Sequence, residues 1–600
     1  MKKIYGNLLL LLNLCFCSSE ESKEKNQIEL ISKVPVYSSF LQKHPIQMAP
    51  NEFQSQGEKI AIATQGPHSA KIAQEIIDQG GNLIDAAVAA SFAISVERPH
   101  STGIGGGGFL LFREGKSGQV FAVDFRERAP RSAEAKMFQD SQGNVITEKS
   151  LYGAHAVAIP GMVAGLFEIH QKWGKISWQK LLEPAARLAE TGIEVYPNLA
   201  QALNEKKQIL ARFPETQKIF LKADSTPYTS GELLIQKDLA ITLRKIGRRG
   251  KKAIFEGEFA KSMAAEVKRL GAELDEKDLA SYKVRWKHPL QGSYKGFEIY
   301  GMPPPSSGGV HVIQILNLLE NDSLKNFGHS STKHLHLSAA TMQMAFADRA
   351  KFLGDDEFTL VPLKGLGSKS YALKLRQKID LGTARKSKDV LEGDAWNFEN
   401  EKPIEKEEST QTTHFSMMDN QGNMIASTQT INGYFGSGVV VPGTGVLLNN
   451  EMDDFVAKAG VPNLFGALGG DANAVVAGKA PLSSMSPTLI LKNAEPIMAL
   501  GGPGGTRIIT CVAQSIVNYL DFQFSLFDSI AAIRHHHQWS PDRINLEDPG
   551  PSEKVQKELQ KMGYETKGGS IPCVVNAVAR EGILLKAVAD PRDQGGVFAR

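Results

Sequence analysis

The stretch Thr410-Gln411-Thr412-Thr413-His414-Phe415-Ser416-Met417-Met418 runs into Asp419-Asn420-Gln421-Gly422-Asn423 and then Met424-Ile425-Ala426-Ser427-Thr428-Gln429-Thr430-Ile431-Asn432. Residues 413–418 and 424–429 are strand-like, and the five polar and glycine residues between them predict a hairpin loop. Folding the hairpin about Gln421 sets Thr412 opposite Thr430 and leaves Asn432 just past the strand end. The approach to this hairpin, about residues 384–410, carries Lys386, Lys388, Asp389, Glu401, Lys402, Glu405, Lys406, Glu407 and Glu408 among few apolar residues. That composition predicts a solvated, mobile segment. A threonine at a strand start is ordinarily just a good strand former. Here three polar side chains converge where a charged segment enters a sheet.

Upstream, Ile72, Ala73, Ile76 and Ile77 share one helical face, which Gly80-Gly81 ends. Asn82 suits the cap of a second helix over 83–96, apolar nearly all round and so buried. Residues 103–108 contain GxGxxG, but a helix precedes it and the strand-like 109–112 follows. A dinucleotide loop needs the opposite order, so these glycines predict a close-packed turn. Helical patterns recur at 161–173, 181–190 and 310–320, the last after a rigid Pro303–Gly309 loop.

The chain has 600 residues, 22% charged and 42% hydrophobic, with formal charge +3. Those values fit a soluble enzyme with a large core and imply no field for nucleic acid. The basic cluster Arg244, Lys245, Arg248, Arg249, Lys251 and Lys252 lacks aromatic company and reads as a solvated helix end. Lys2 and Lys3 precede a short apolar run at 8–14, followed by Cys15 and Cys17. This is an export signal, with Cys17 or Cys15 placed as in a bacterial lipoprotein, although Phe16 stands where a small residue is usual. The pattern predicts a signal over 1–17, a polar tether over 18–59, and a periplasmic or lipid-anchored location. Only Cys511 and Cys573 remain, too few for a disulfide framework, and they read as packed small hydrophobes. His535-His536-His537 lacks the spacing of a metal site, so neither metal nor organic cofactor is expected.

Three more strings are polar where a core would be apolar. Asn449-Asn450-Glu451-Met452-Asp453-Asp454 puts three carboxylates after an apolar strand. Residues 481–488 form a hydroxyl-rich loop. Gly501-Gly502-Pro503-Gly504-Gly505 leads into a helix over 506–520, where backbone N–H groups can hold an anion or oxyanion.

With Gly470-Asp471-Ala472-Asn473-Ala474, Asp85-Ala86-Ala87-Val88-Ala89 and Asp124-Phe125-Arg126-Glu127-Arg128-Ala129-Pro130, these strings resemble the γ-glutamyltranspeptidases in motif and order over about residues 60–600. The resemblance implies the N-terminal nucleophile hydrolase fold, an α+β four-layer αββα sandwich built by two autoprocessed subunits, 60–411 and 412–600. It implies self-cleavage between Gln411 and Thr412, after which Thr412 acts as catalytic nucleophile with Thr430 in support. Arg126, Ser483 and Ser484 would hold the α-carboxylate of a γ-glutamyl group. Asp454, Glu451 and Asn432 would hold its α-amino group, Glu451 standing where some members have glutamine. Gly504 and Gly505 would supply oxyanion donors. Phe465, in the lid loop 459–466, stands where many bacterial members carry tyrosine. The implied partners are glutathione and other γ-glutamyl compounds, with water, amino acids or dipeptides as acceptors.

Two rival readings remain. A glutaryl-type β-lactam acylase of the same superfamily would act on substrates without an α-amino group. A self-cleaved, catalytically silent surface protein would need no such pocket.

Overall fold

In the structure, a computed structural model describing residues 50–399 and 413–600, the hairpin has the expected register. Thr413–Asp419 pairs antiparallel with Met424–Thr430, Thr413 facing Gln429 and Met418 facing Met424. Asp419 closes the loop by accepting from Gln421 N at 3.0 Å and Asn423 N at 2.9 Å. Gly422 takes the positive φ of 85° that the turn requires. Gln411, Thr412 and residues 1–49 lie outside the described residues, and with them the proposed cleavage bond, nucleophile and signal.

The hairpin is the centre of a seven-stranded sheet. Its order is Gly596–Ala599, Ile60–Thr64, Thr413–Asp419, Met424–Thr430, Gly107–Arg113, Val120–Asp124 and Arg285–Lys287. A second seven-stranded sheet runs Gln54–Gly57, Leu584–Val588, Asn576–Glu581, Glu495–Gly501, Thr488–Lys492, Phe297–Gly301 and Leu290–Tyr294. Strand structure thus begins at Gln54, ahead of Ile60, because Gln54–Gly57 completes an edge against residues 585–588.

Side-chain alternation separates the layers. Ala61, Ala63, Phe109, Leu111, Met418 and Ala426 share an inner core with Leu489, Leu491, Ala499 and Val578 of the other sheet. The intervening Ile60, Ile62, Leu110, Phe112, Met417 and Ile425 turn outward onto helices including Leu83–Glu97, Met162–Trp173 and Trp178–Thr191. On the far side Ile490, Met498 and Leu500 meet Ser307–Leu319, Thr332–Phe352 and Arg507–Leu520. The result is the expected αββα order, and the many alanines between the sheets suit their close approach.

Local signals held with small shifts. Asn82 caps Leu83–Glu97 in a capping box with Asp85. The helix read from Val310 starts at Ser307, because the Ser306 hydroxyl accepts from Gly308 N at 3.0 Å. The first part of the charged segment is docked instead of solvated. Val390 and Ala395 are buried, and Trp539 Nε1 donates to the carbonyls of Ser387 and Val390, each at 2.9 Å. Charge alone therefore misjudged residues 384–399; two buried apolar residues and the bonds from Trp539 anchor them. The two cysteines are free and buried. The three histidines are buried too, lowered by that burial to about 3, 3 and 4. His535 meets Ser338 Oγ at 2.7 Å and His536 meets Thr510 Oγ1 at 2.9 Å.

Candidate active site

The glycines at 105–108 are where the elements carrying the site meet. A Cβ on Gly106 would lie 1.8 Å from Thr430 O, and one on Gly105 2.2 Å from Leu447 O. Only glycine allows the strands to touch here. Gly165 likewise clears the Phe125 ring, which a Cβ would meet at 2.4 Å. That contact, with Tyr282 OH donating to Arg126 O at 2.7 Å and Asp124 accepting from Arg126 N at 2.9 Å, fixes the backbone at Arg126.

The Arg126 guanidinium is fully buried and meets three carboxylates: Glu451 Oε1 at 2.5 Å, Asp454 Oδ2 at 3.1 Å and Glu127 Oε2 at 3.1 Å. The sequence places Glu127 beside Arg126, but reading Arg126 alone missed it as a member of the cluster. Burial, then the adjacent Glu127 and Asp454, push Glu451 well above the usual carboxylate range, and Arg126 offsets this only in part. Burial also raises Glu127. One cation among three carboxyl groups favours proton uptake by Glu451 and Glu127. Glu451 receives no aligned hydrogen bond from the described residues on either oxygen.

Asn449 orients this group. Its Oδ1 accepts from Glu451 N and Ala158 N at 3.0 Å each, and its Nδ2 donates to Gly105 O at 2.8 Å. Asn473 Nδ2 donates to Asp454 O at 2.7 Å. Asn432 holds φ at 69°, rare for a residue with a side chain. Its Nδ2 donates to Asn450 O at 2.9 Å, while its buried Oδ1 has no partner among the described residues. Buried orphan acceptors are uncommon and call for a donor. Thr430 Oγ1 accepts from Asn432 N at 2.7 Å, tying the hairpin end to this corner.

Ser483 and Ser484 are buried but make no hydrogen bond to Arg126 among the described residues. Ser483 Oγ accepts from Met485 N at 2.9 Å, and Ser484 Oγ accepts from Arg349 Nη2 at 3.4 Å. No local motif marked Arg349; the signal available was a charged Asp348-Arg349 pair inside a helix buried nearly all round.

Gly504 and Gly505 take φ of 145° and 60° ahead of Arg507–Leu520. Neither N–H donates to a backbone carbonyl among the described residues. The loop is braced from below: Val574 N donates to Pro503 O at 3.2 Å, and a Cβ on Gly504 would meet Pro572 O at 2.7 Å. Arg534 holds that brace through Cys573 O and, at 2.6 Å, Asp590. A Cβ on Gly501 would lie 2.5 Å from the His414 ring, so the hairpin and the glycine loop are packed together. His414 is neutral, lowered by burial to about 3.

The loop over 459–466, expected to form a lid, is tied through its second half. Asn463 Nδ2 donates to Asp454 Oδ1 at 3.2 Å, Leu464 N to Asp453 Oδ2 at 3.0 Å, and Gln538 Nε2 to Gly466 O at 3.1 Å. Phe465 is half-buried within it.

The chain that carries this arrangement has relatives. The family described as gamma-glutamyltranspeptidase matches residues 69–599. The glutathione hydrolase proenzyme of Escherichia coli (strain K12) is 39% identical over 535 residues, covering 88% of this chain and 90% of that protein. The acylase ACY 1 proenzyme of Pseudomonas sp. (strain SE83) is 33% identical over 530 residues, covering 87% and 90%. A cephalosporin acylase from Bacillus halodurans superposes with TM-score 0.80 at 24% identity, over 92% of this chain and 98% of that one, which speaks for the fold. No helix among the described residues is long and apolar enough to cross a membrane. With the family match spanning nearly the whole described chain, the conclusion is that this protein belongs to the γ-glutamyltranspeptidase family.

Proposed function

We propose that this chain is an exported γ-glutamyltransferase and glutathione hydrolase, matured by its own cleavage between Gln411 and Thr412 into fragments of about residues 18–411 and 412–600 that stay together. The observation that carries the reading is Arg126 among Glu451 and Asp454. A γ-glutamyl group ends in an α-amino acid, with one anion and one cation to be met. A glutaryl group offers only the anion and would leave the acceptors of Asn432 and Glu451 without an ammonium partner. The acylase relative keeps that second reading alive, and the unpartnered acceptors argue against it.

The chemistry follows from the groups present. Cleavage would free the Thr412 α-amine, whose ordinary pKa of about 7.7–8.0 suits a base near neutrality. It would take the proton of the Thr412 hydroxyl as that oxygen attacks the γ-carbonyl. The N–H groups of Gly504 and Gly505 would receive the negative charge that develops on the carbonyl oxygen. Collapse returns the proton to the departing amine and leaves a γ-glutamyl ester on Thr412. Water then yields glutamate, and an amino acid or dipeptide yields a new γ-glutamyl amide. Asp454 and Glu451 would pair with the substrate ammonium; Arg126, Ser483 and Ser484 would meet its carboxylate. Lipid anchoring at Cys17 or Cys15 is part of the same proposal.

The test uses purified protein with γ-glutamyl-p-nitroanilide and glutaryl-p-nitroanilide. Turnover confined to the first is expected; preference for the second would install the acylase reading, and silence on both the binding-protein reading. Thr412→Ala should remain one uncut, inactive chain on a denaturing gel. Two bands from that variant, free of protease, would remove Thr412 from its role.

A further inference from the structure

Arg349 lies on Thr332–Phe352 and is 2% exposed. Its Nε donates to Ser307 Oγ at 3.0 Å and its Nη2 to Ser484 Oγ at 3.4 Å. Ser307 Oγ in turn donates to the carbonyl of Ser483, so one guanidinium underlies both serines of the pair. It also lines a small cavity together with Asp454, Asn463 and Asn473. Its neighbour Asp348 accepts from Tyr371 OH at 2.8 Å, Gly393 N at 2.8 Å and Gln314 Nε2 at 2.5 Å.

Two physical points give Arg349 a task. Arg126 meets three carboxylates, so by itself it presents little positive charge to an incoming carboxylate. A hydroxyl that accepts from a guanidinium keeps its own hydrogen for another acceptor, and the cation polarises that O–H. We propose that Arg349 is a positioning residue for donor recognition, aiming and polarising the Ser484 hydroxyl toward the substrate α-carboxylate. This rests on the γ-glutamyl reading of the site above.

The test compares two anilides that differ only in the group at issue: γ-glutamyl-p-nitroanilide, and 4-aminobutyryl-p-nitroanilide, which lacks the α-carboxylate. Wild-type turnover of the first is the entry check, and its failure would sink the γ-glutamyl reading before Arg349 is tested. In the matured enzyme, Arg349→Met should raise KM for the γ-glutamyl donor about tenfold, the scale of a lost charged hydrogen bond. Its kcat, and its KM for the aminobutyryl donor, should stay near wild type. Arg349→Lys, which keeps the charge and one donor, should fall between. Adding Arg349→Met to Ser484→Ala should cost little beyond Ser484→Ala alone, since the same hydroxyl carries both effects. A rise in KM shared equally by both donors, or additive losses in the double variant, would make Arg349 a structural rivet and overturn the proposal. Should Arg349→Met fail to fold, Arg349→Lys on the Ser484→Ala background reads the same coupling: an undiminished further loss there overturns it equally.

Discussion

The glycine loop at 501–505 and the cluster around Arg126 use burial in opposite ways. The loop carries no charge. Its chemistry is backbone N–H groups, held by contacts so tight that Gly502 would place a Cβ 2.1 Å from Val574 O. Burial there costs little, because the donors are neutral and, in the mechanism proposed, wait for an acceptor that forms only during reaction. The Arg126 cluster holds four ionisable side chains with no exposed surface. Burial there is expensive, and the cluster meets the cost by mutual pairing and by holding protons. The first region should therefore respond to shape and be indifferent to pH. The second should respond to charge and be governed by pH.

The largest effect should come from shape. Gly504→Ala adds a Cβ 2.7 Å from Pro572 O at φ 145°, which must move the proposed oxyanion donors. We expect kcat to fall by about 10²–10³-fold with donor KM little changed and the same factor at every pH. A loss carried by KM would mean that the loop binds ground-state substrate.

Arg126→Ala should come next. Donor kcat/KM should fall at least about tenfold, the scale of a lost charged hydrogen bond, while self-cleavage of the precursor proceeds. Its stability should show the charge. Without the guanidinium the three carboxylates repel, and they take up protons more readily. The folded state then binds protons that the unfolded chain releases, so stability is retained at low pH and lost as pH rises. Melting curves should separate from wild type more at pH 8 than at pH 5; equal separation would break the contrast between the two regions.

Glu451→Gln tests the same charge more gently. Burial, then Glu127 and Asp454, raise Glu451 well above the ordinary range in the empty site. A raised folded value means stability present below the unfolded carboxyl pKa and lost as pH climbs through the folded one. Glutamine removes that loss, so the variant should gain stability relative to wild type as pH rises. Protonated Glu451 is also a weaker ammonium partner, so wild-type donor KM should fall with rising pH and the variant's should be flatter. Parallel pH profiles would show that Glu451 does not titrate in this range.

The smallest effect concerns the proposed lid over 459–466. Asn432 Oδ1 lacks a partner among the described residues, and the Phe465 ring has no hydroxyl to offer. Phe465→Tyr should add one neutral hydrogen bond, about 0.5–1.5 kcal/mol, hold the lid closed longer, and raise the transfer-to-hydrolysis ratio a few-fold at fixed acceptor. A ratio that stays or falls would separate lid closure from acyl partitioning.

Sequence by itself determined what depends on neighbours in the chain. The hairpin register followed from a five-residue loop between two strand patterns, since alternation and loop length leave one pairing. The Asn82 cap was legible because its bonds close within a few residues. The close-packed turn at 103–108 was legible from its glycines, though not what it packs against. Only the tertiary structure decided who shares the buried space. Glu127 stood in plain view next to Arg126, but its membership of one cluster with Glu451 and Asp454 depends on strands brought together across more than 300 residues. Arg349 had no motif at all; its link to Ser484 spans 135 residues. The physical reason is that charges act through space. Local patterns report the backbone's own bonds, whereas the energy of a buried ion depends on every neighbour the fold assembles around it.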